Sequence, residues 1–297
     1  MKKFLIKATL FFILGAGMFL VLDHGVAYFY TESAEKKYRD LFHPSEIADL
    51  VILGTSHSEA GINPRYLEGG GIRVYNFSFS GANPVFYHQW FKDIFRMYYP
   101  KPKIMLFAVD WFLFDDEILR RKFEHDSEYF PLEALIQSAL NPELSLKRLF
   151  QNRFSTFKSH ISTVNLFLSK QTVDGYYKGY YPYYIRTTDQ PVHRPNSNRQ
   201  INAFFDLLDL IQEDGIKIIF VQMPEYAPET QINRNNIQFL HEIANQRDIP
   251  FLDYNQDRIS AINHETSYFL DWGHLNTLGS RMFSQLLKDD LKEILDL

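Results

Sequence analysis

Ser56 sits in the run Gly54-Thr55-Ser56-His57-Ser58, directly after the apolar stretch 50–53. A serine hydroxyl becomes a useful nucleophile only when a base takes its proton, and histidine, titrating near neutrality, is the usual base. Two histidines compete for that role. His57 adjoins Ser56, but adjacent side chains usually point apart. His274 lies in Asp271-Trp272-Gly273-His274. There, an aspartate three positions earlier can curl back onto the ring Nδ1, hold its tautomer and stabilise the imidazolium. Ser56, His274 and Asp271 are therefore the candidate nucleophile, base and orienting carboxylate for acyl chemistry. Each run also has a plain reading. A Ser or Thr after a strand often caps the next helix, and an Asp-His pair can be a surface pair or a cap for the last helix.

Such residues need a scaffold to bring them together. Beyond about residue 30, short apolar runs alternate with helical stretches, the pattern of an α/β domain. The runs 50–54, 72–77, 103–109, 216–222 and 249–253 read as strands. The stretches 202–212, 238–246 and 277–295 read as helices, the last with Leu278, Met282, Leu286 and Leu287 on one face. Runs apolar throughout, rather than alternating, indicate parallel strands covered on both faces. Five of them with helices between imply a three-layer, doubly wound, mostly parallel five-stranded sheet, whose ligands bind beyond the carboxyl ends of the strands. Ser56 follows the first strand at that edge. The stretch 111–200 is too long for a connection and reads as an insertion on the active-site side. It holds helical pieces at 131–139 and 144–150 and an aromatic tract at 176–184.

Composition removes several alternatives. Among 297 residues, 36 are acidic and 31 basic, a net charge of −5, so nucleic acid is not an expected partner. Cysteine is absent, which excludes disulfides, thiolate metal sites and a thiol nucleophile. Ten histidines form no His-Glu-x-x-His pattern, no loop has calcium spacing, and no glycine-rich phosphate loop occurs, so no metal and no cofactor are expected. Gly69 to Gly71 precede a strand and read as a turn. The aromatic share, 16% with 27 Phe and 18 Tyr, suits both a core and amphipathic surface. Tyr176, Tyr177, Tyr180 and Tyr181 are candidate sugar-stacking residues, with packing of the insertion as the bland alternative.

The N-terminus speaks to compartment. Lys2, Lys3 and Lys7 introduce a stretch, residues 8–22, without any charge. Nearly 20 apolar residues cross a bilayer as a helix, and basic residues at their start place that end in the cytoplasm. Residues 1–30 are therefore expected to be a single-pass anchor in the cytoplasmic (inner) membrane, with 31–297 outside. A cleaved signal peptide shares the charge layout, although no small-x-small site follows Leu22.

The order of the motifs, Ser56 after the first strand and Asp271-x-x-His274 before the last helix, resembles the SGNH/GDSL hydrolase superfamily. The segment Asn76-Phe77-Ser78-Phe79-Ser80-Gly81-Ala82-Asn83 looks like that superfamily's glycine block. The resemblance implies a flavodoxin-like hydrolase domain over 31–297. It also implies an oxyanion site built from Ser56 and Gly81, with Asn83. The anchor and the Gly-Thr-Ser-His-Ser form are similar to the cell-envelope acyltransferase branch, which includes alginate O-acetylation proteins and DltD-like D-alanyl transfer proteins. That branch implies transfer of an acyl group from a donor to an envelope glycan, with a membrane-bound O-acyltransferase as partner. Simple ester hydrolysis, such as glycan deacetylation, and a catalytically idle glycan-binding or scaffold module are the other readings. There is one departure. The superfamily's third block offers an Asn where this chain has Val109-Asp110-Trp111. An ionised Asp110 cannot donate a hydrogen bond, so it is expected to be structural, accepting backbone N–H groups at the strand end.

Overall fold

The computed structural model describes residues 2–30, 48–69, 71–121, 177–182, 195–226, 234–255 and 260–295. The helical pieces expected at 131–139 and 144–150 lie outside them. By internal contacts the chain forms two units, residues 1–39 with 126–174, and residues 40–125 with 175–297.

In the first unit, helix α1 (Lys2–Tyr30) is 29 residues, roughly 43 Å at 1.5 Å per residue. Phe4, Phe11, Phe12, Leu14 and Val21 are all exposed along it. It is long and apolar enough to cross a membrane, a property it shares with signal sequences.

The second unit is built on a sheet. In chain order its elements are β1 (Leu50–Leu53), α2 (Ser56–Gly61), α3 (Pro64–Leu67), β2 (Val74–Asn76), α4 (Pro84–Trp90) and β3 (Ile104–Ala108). They continue with α5 (Asn198–Glu213), β4 (Lys217–Gln222), α6 (Arg234–Gln246), β5 (Phe251–Asp253), α7 (Ser260–Asn263) and α8 (Thr277–Leu295). The five strands run in the order β2-β1-β3-β4-β5, and every pairing is parallel. Leu50 faces Val74 on one side and Ile104 on the other, and Ile104 in turn faces Lys217. The chain leaves β1 toward β2 on one side and returns to β3 on the other. The gap between the carboxyl ends of β1 and β3 is therefore the switch point where doubly wound sheets bind ligands.

Both faces of the sheet are covered, which explains why its strands carry no polar alternation. Ile104, Leu106 and Ala108 of β3 and Ile219 and Val221 of β4 share one face with Phe283, Leu287 and Leu291 of α8. The opposite face is aromatic. Phe107 of β3 stacks on Phe204 of α5 at 5.4 Å and meets the ring of Tyr87 from α4 at 5.7 Å. Phe77, Trp90, Phe95 and Tyr99 continue that layer, so much of the phenylalanine content is core.

Helix α8 has the expected limits, and of the expected row Leu287 is buried and Leu286 partly so, but the buried face is rotated away from Leu278 and Met282. Ser280, Phe283, Ser284, Leu287 and Leu291 point inward, whereas Leu278 and Met282 are 50% and 40% exposed. The inward row is spaced i, i+3, i+4, i+7, and two of its members are serines, which hide it from a hydrophobic pattern. Their small size lets the helix approach closely, and Ser284 Oγ accepts the Asn63 N–H at 2.9 Å.

Candidate active site

The turn after β1 is built for close packing. Gly54 has φ +153°, and a Cβ there would lie 2.3 Å from Ser58 Oγ and 2.8 Å from Ala108 Cβ, so only glycine fits. Thr55 then caps α2, its Oγ1 accepting the His57 N–H at 3.3 Å. Capping thus falls to Thr55, and Ser56 becomes the first helical residue with its hydroxyl directed elsewhere. From α4, the buried Tyr87 hydroxyl accepts N–H groups of Gly54 and Phe79 and donates to the Gly54 carbonyl. It thereby ties the turn after β1 to the turn after β2. Burial holds that phenol well above its usual range, so it stays a neutral donor.

Ser56, His274 and Asp271 meet at this edge. Ser56 Oγ lies 2.9 Å from His274 Nε2, across 218 positions of sequence. His274 Nδ1 lies 2.9 and 3.1 Å from the two oxygens of Asp271. Asp271 Oδ1 also accepts the N–H groups of Gly273 and His274 at 3.1 and 2.9 Å, which fixes the loop that presents the ring. These partners assign the tautomer: Nδ1–H donates to Asp271 and Nε2 accepts from Ser56. Burial lowers the His274 pKa. The hydrogen bond to Asp271 opposes this, while the neighbouring His57 charge adds to it. The ring is therefore held in its neutral, basic form.

Other expected residues fare differently. Asn83 is the N-cap of α4, accepting the Phe86 N–H at 2.9 Å. Both of its amide hydrogens are spent, on the carbonyls of Leu119 at 2.7 Å and Arg121 at 3.3 Å. It is not available to an oxyanion. Gly81 lies in the turn after β2 with φ +71°, its carbonyl accepting the Arg121 N–H at 2.9 Å. Among the described residues no backbone N–H is donated to the Asp110 carboxylate. Its two oxygens take the Thr55 hydroxyl at 2.5 Å and the His57 ring at 3.0 Å.

The described part of the tyrosine tract, residues 177–182, is docked on the sheet edge. Tyr176 lies outside the described residues. Tyr177 and Tyr180 exchange backbone hydrogen bonds of 3.2 and 2.9 Å around Lys178 and Gly179, both at positive φ, the geometry of a tight hairpin turn. The Lys178 carbonyl accepts the Asn76 N–H at 2.9 Å, so the turn closes the outer edge of β2. Tyr177 donates its hydroxyl to Glu68 at 2.7 Å, and the half-buried Tyr181 donates its N–H to the Glu59 carbonyl. Tyr180 is 1% exposed. A ring buried on both faces cannot stack a sugar, which removes Tyr180 as a binding residue.

Sequence reasoning passed over a second cluster, immediately behind the first. Thr55, His57, Asp110 and Glu225 are each 1% exposed. A ring nitrogen of His57 and one oxygen each of Asp110 and Glu225 lie within 4.8 Å of one another. Within this cluster His57 Nδ1 is hydrogen-bonded to Asp110 at 3.0 Å. Burial lifts the Glu225 carboxyl to about 8, with Asp110 adding to the effect and His57 and the Trp111 indole opposing it. The available signal was positional: His57, Asp110 and Glu225 follow the carboxyl ends of β1, β3 and β4, where parallel sheets assemble sites.

The sequence matches no family model and no curated protein. Among solved structures the chain is similar to a provisionally named acylhydrolase from Bacteroides fragilis, at 13% identity and a TM-score of 0.44, covering 88% of this chain and 94% of that one. It is similar also to a GDSL-like lipase from Bacteroides thetaiotaomicron, at 12% identity and a TM-score of 0.41, over 82% of this chain and 88% of that one.

Proposed function

We propose that this protein is a serine-dependent acyl-transfer enzyme of SGNH/GDSL type. The observation that carries the reading is the continuous line from Ser56 Oγ to His274 Nε2 and from Nδ1 to Asp271, with every step between 2.9 and 3.1 Å. As Ser56 Oγ attacks an ester carbonyl, its proton passes to Nε2, and Asp271 stabilises the resulting imidazolium. The imidazolium then protonates the departing alkoxide, leaving an acyl-Ser56. In the second half-reaction His274 takes a proton from the incoming hydroxyl, and Ser56 Oγ is the leaving group. Backbone N–H groups of Ser56 and Gly81 are the proposed oxyanion donors, without Asn83.

The incoming hydroxyl is the finer question. The α1 helix supports membrane anchoring, and the first reading is an extracytoplasmic enzyme that transfers an acyl group to a sugar hydroxyl of an envelope glycan beside a membrane-bound O-acyltransferase. One observation favours water instead. Of the candidate acceptor residues Tyr176, Tyr177, Tyr180 and Tyr181, Tyr180 is buried against the edge of β2. An intact triad argues against an idle module.

The test is covalent labelling of the full-length protein by a fluorophosphonate. The wild type is expected to label and Ser56→Ala to remain unlabelled with its fold intact; equal labelling of Ser56→Ala would name another nucleophile. The acyl acceptor is then read by product partitioning between free acid and acylated oligosaccharide. Alkaline phosphatase fused after residue 60 is expected to be active, and an inactive but expressed fusion would sink the anchor and the envelope substrate together.

A further inference from the structure

The line Ser56–His274–Asp271 rests on a buried imidazole that takes no part in it. The His57 ring stands edge-on to His274, centroids 4.8 Å apart at 88°. It meets Trp272 at 5.1 Å and Phe112 at 5.3 Å, so the ring has no room to turn. Its Nδ1 is tied to Asp110 at 3.0 Å, and Asp110 is tied in turn by the Thr55 hydroxyl. The opposite edge lies against the loop that carries the base. A Cβ on Gly273 would fall 2.4 Å from His57 Nε2 and 2.5 Å from Cε1. Only a residue without a side chain lets the segment from Asp271 to His274 lie on that ring.

The charges around the two rings differ. Asp110, Glu225 and Asp271 face His57, while His274 is faced by Asp271, Asp110 and His57 itself. Two imidazoles in contact do not both take a proton cheaply, so the ring with the stronger carboxylate partner takes it and disfavours charge on the other.

We propose that His57 is a positioning residue: a buried imidazolium, paired with Asp110, that seats the Asp271–His274 loop and keeps His274 in its unprotonated form. The proposal rests on the reading of Ser56 and His274 as nucleophile and base. Burial by itself would drive His57 toward neutrality, but the charge and hydrogen bond of Asp110 outweigh it and raise its pKa above the usual histidine value. Asp110, hydrogen-bonded to the ring, is the counter-ion. The device explains why this chain has an aspartate where a side-chain oxyanion donor was expected. Asp110 is turned toward Thr55 and His57, and serves the base rather than the oxyanion.

The experiment is the pH profile of Ser56 labelling by a fluorophosphonate, in the full-length protein. His57→Gln removes the cation, and Asp110→Asn removes the charge that maintains it. His57→Gln is expected to move the acid limb to higher pH by roughly one unit, the usual effect of one nearby charge, and Asp110→Asn by less, because Asp110 itself raises the His274 pKa. Well below both limbs the His57→Gln variant would then label roughly 10-fold more slowly than the wild type, and it would recover toward pH 8. A purely structural role would lower the rate evenly at every pH, and folded variants with an unmoved limb would overturn the proposal. Should neither variant fold, the imidazole nitrogens of the wild type decide the matter by ¹⁵N NMR. The His57 ring should take up its second proton above the usual histidine value and above the pH at which His274 does, and a His57 ring that titrates at or below that value would rule it out. A wild type that labels at no pH would instead sink the nucleophile reading, which separates the two failures.

Discussion

Ser56 and His274 stand 2.9 Å apart between hydroxyl oxygen and ring nitrogen, although 218 positions separate them in the chain. That contact joins the turn after β1 to the loop before α8, and both turns are fixed by their own hydrogen bonds before any substrate arrives. Asp271 accepts two loop N–H groups besides the ring, and Thr55 caps the helix that starts with Ser56. Little reorganisation is left for the chemical step, which is the condition for an activated nucleophile.

The three residues act as one unit, so their losses should not add. His274→Ala is expected to lower the rate of fluorophosphonate labelling about 10⁴-fold or more. The double variant His274→Ala with Asp271→Asn should be scarcely slower than His274→Ala alone. Multiplying effects in the double variant would show that Asp271 works by some route other than the ring.

The pH profile follows from the direction of the His274 shift. Its pKa is lowered by burial, so the neutral base survives to lower pH than an exposed histidine allows. The acid limb of the wild-type labelling rate should therefore fall below about pH 6.5, the ordinary histidine value. A limb at or above 6.5 would contradict a base held neutral by its surroundings.

Asn83 makes three structural hydrogen bonds, one as acceptor at the start of α4 and two as donor. Asn83→Ala should lower stability by about 1–2 kcal/mol, the range for a lost N-cap. The labelling rate per folded molecule should stay unchanged. Urea midpoints and labelling rates check this together, and a hundredfold slower folded variant would return Asn83 to the oxyanion site.

Glu225 makes stability depend on pH in a defined window. Its carboxyl is raised from 4.5 to about 8 in the fold, chiefly by burial. Below pH 4.5 the folded and unfolded chains both hold that proton. Between 4.5 and 8 only the folded chain holds it, so this contribution to stability falls as pH rises, then levels off above 8. Glu225→Gln cannot titrate. Its stability relative to the wild type should therefore improve across that window, with a slope approaching about 1.4 kcal/mol per pH unit. Urea midpoints at pH 5, 6.5 and 8 measure it, and a difference independent of pH would mean that Glu225 is ionised throughout.

What the amino-acid order determined by itself is whatever depends on near neighbours. Strand runs such as 103–109 are recognisable because a parallel strand covered on both faces must be apolar throughout. The contact of Asp271 with His274 is equally local, since three residues of loop suffice to bring carboxylate to ring. Tertiary structure decided everything that joins distant segments. The order β2-β1-β3-β4-β5 sets the ends of β1, β3 and β4 side by side, and so delivers His57, Asp110 and Glu225 into one buried cluster that no spacing announces. It turned Asn83 into a cap, buried Tyr180 on the edge of β2, and chose the serine-bearing face of α8 over Leu278 and Met282. The physical reason is common to all of these. A polar group's role depends on which partner satisfies it, and a side chain's burial on which surface it meets, and both are settled only when the sheet closes.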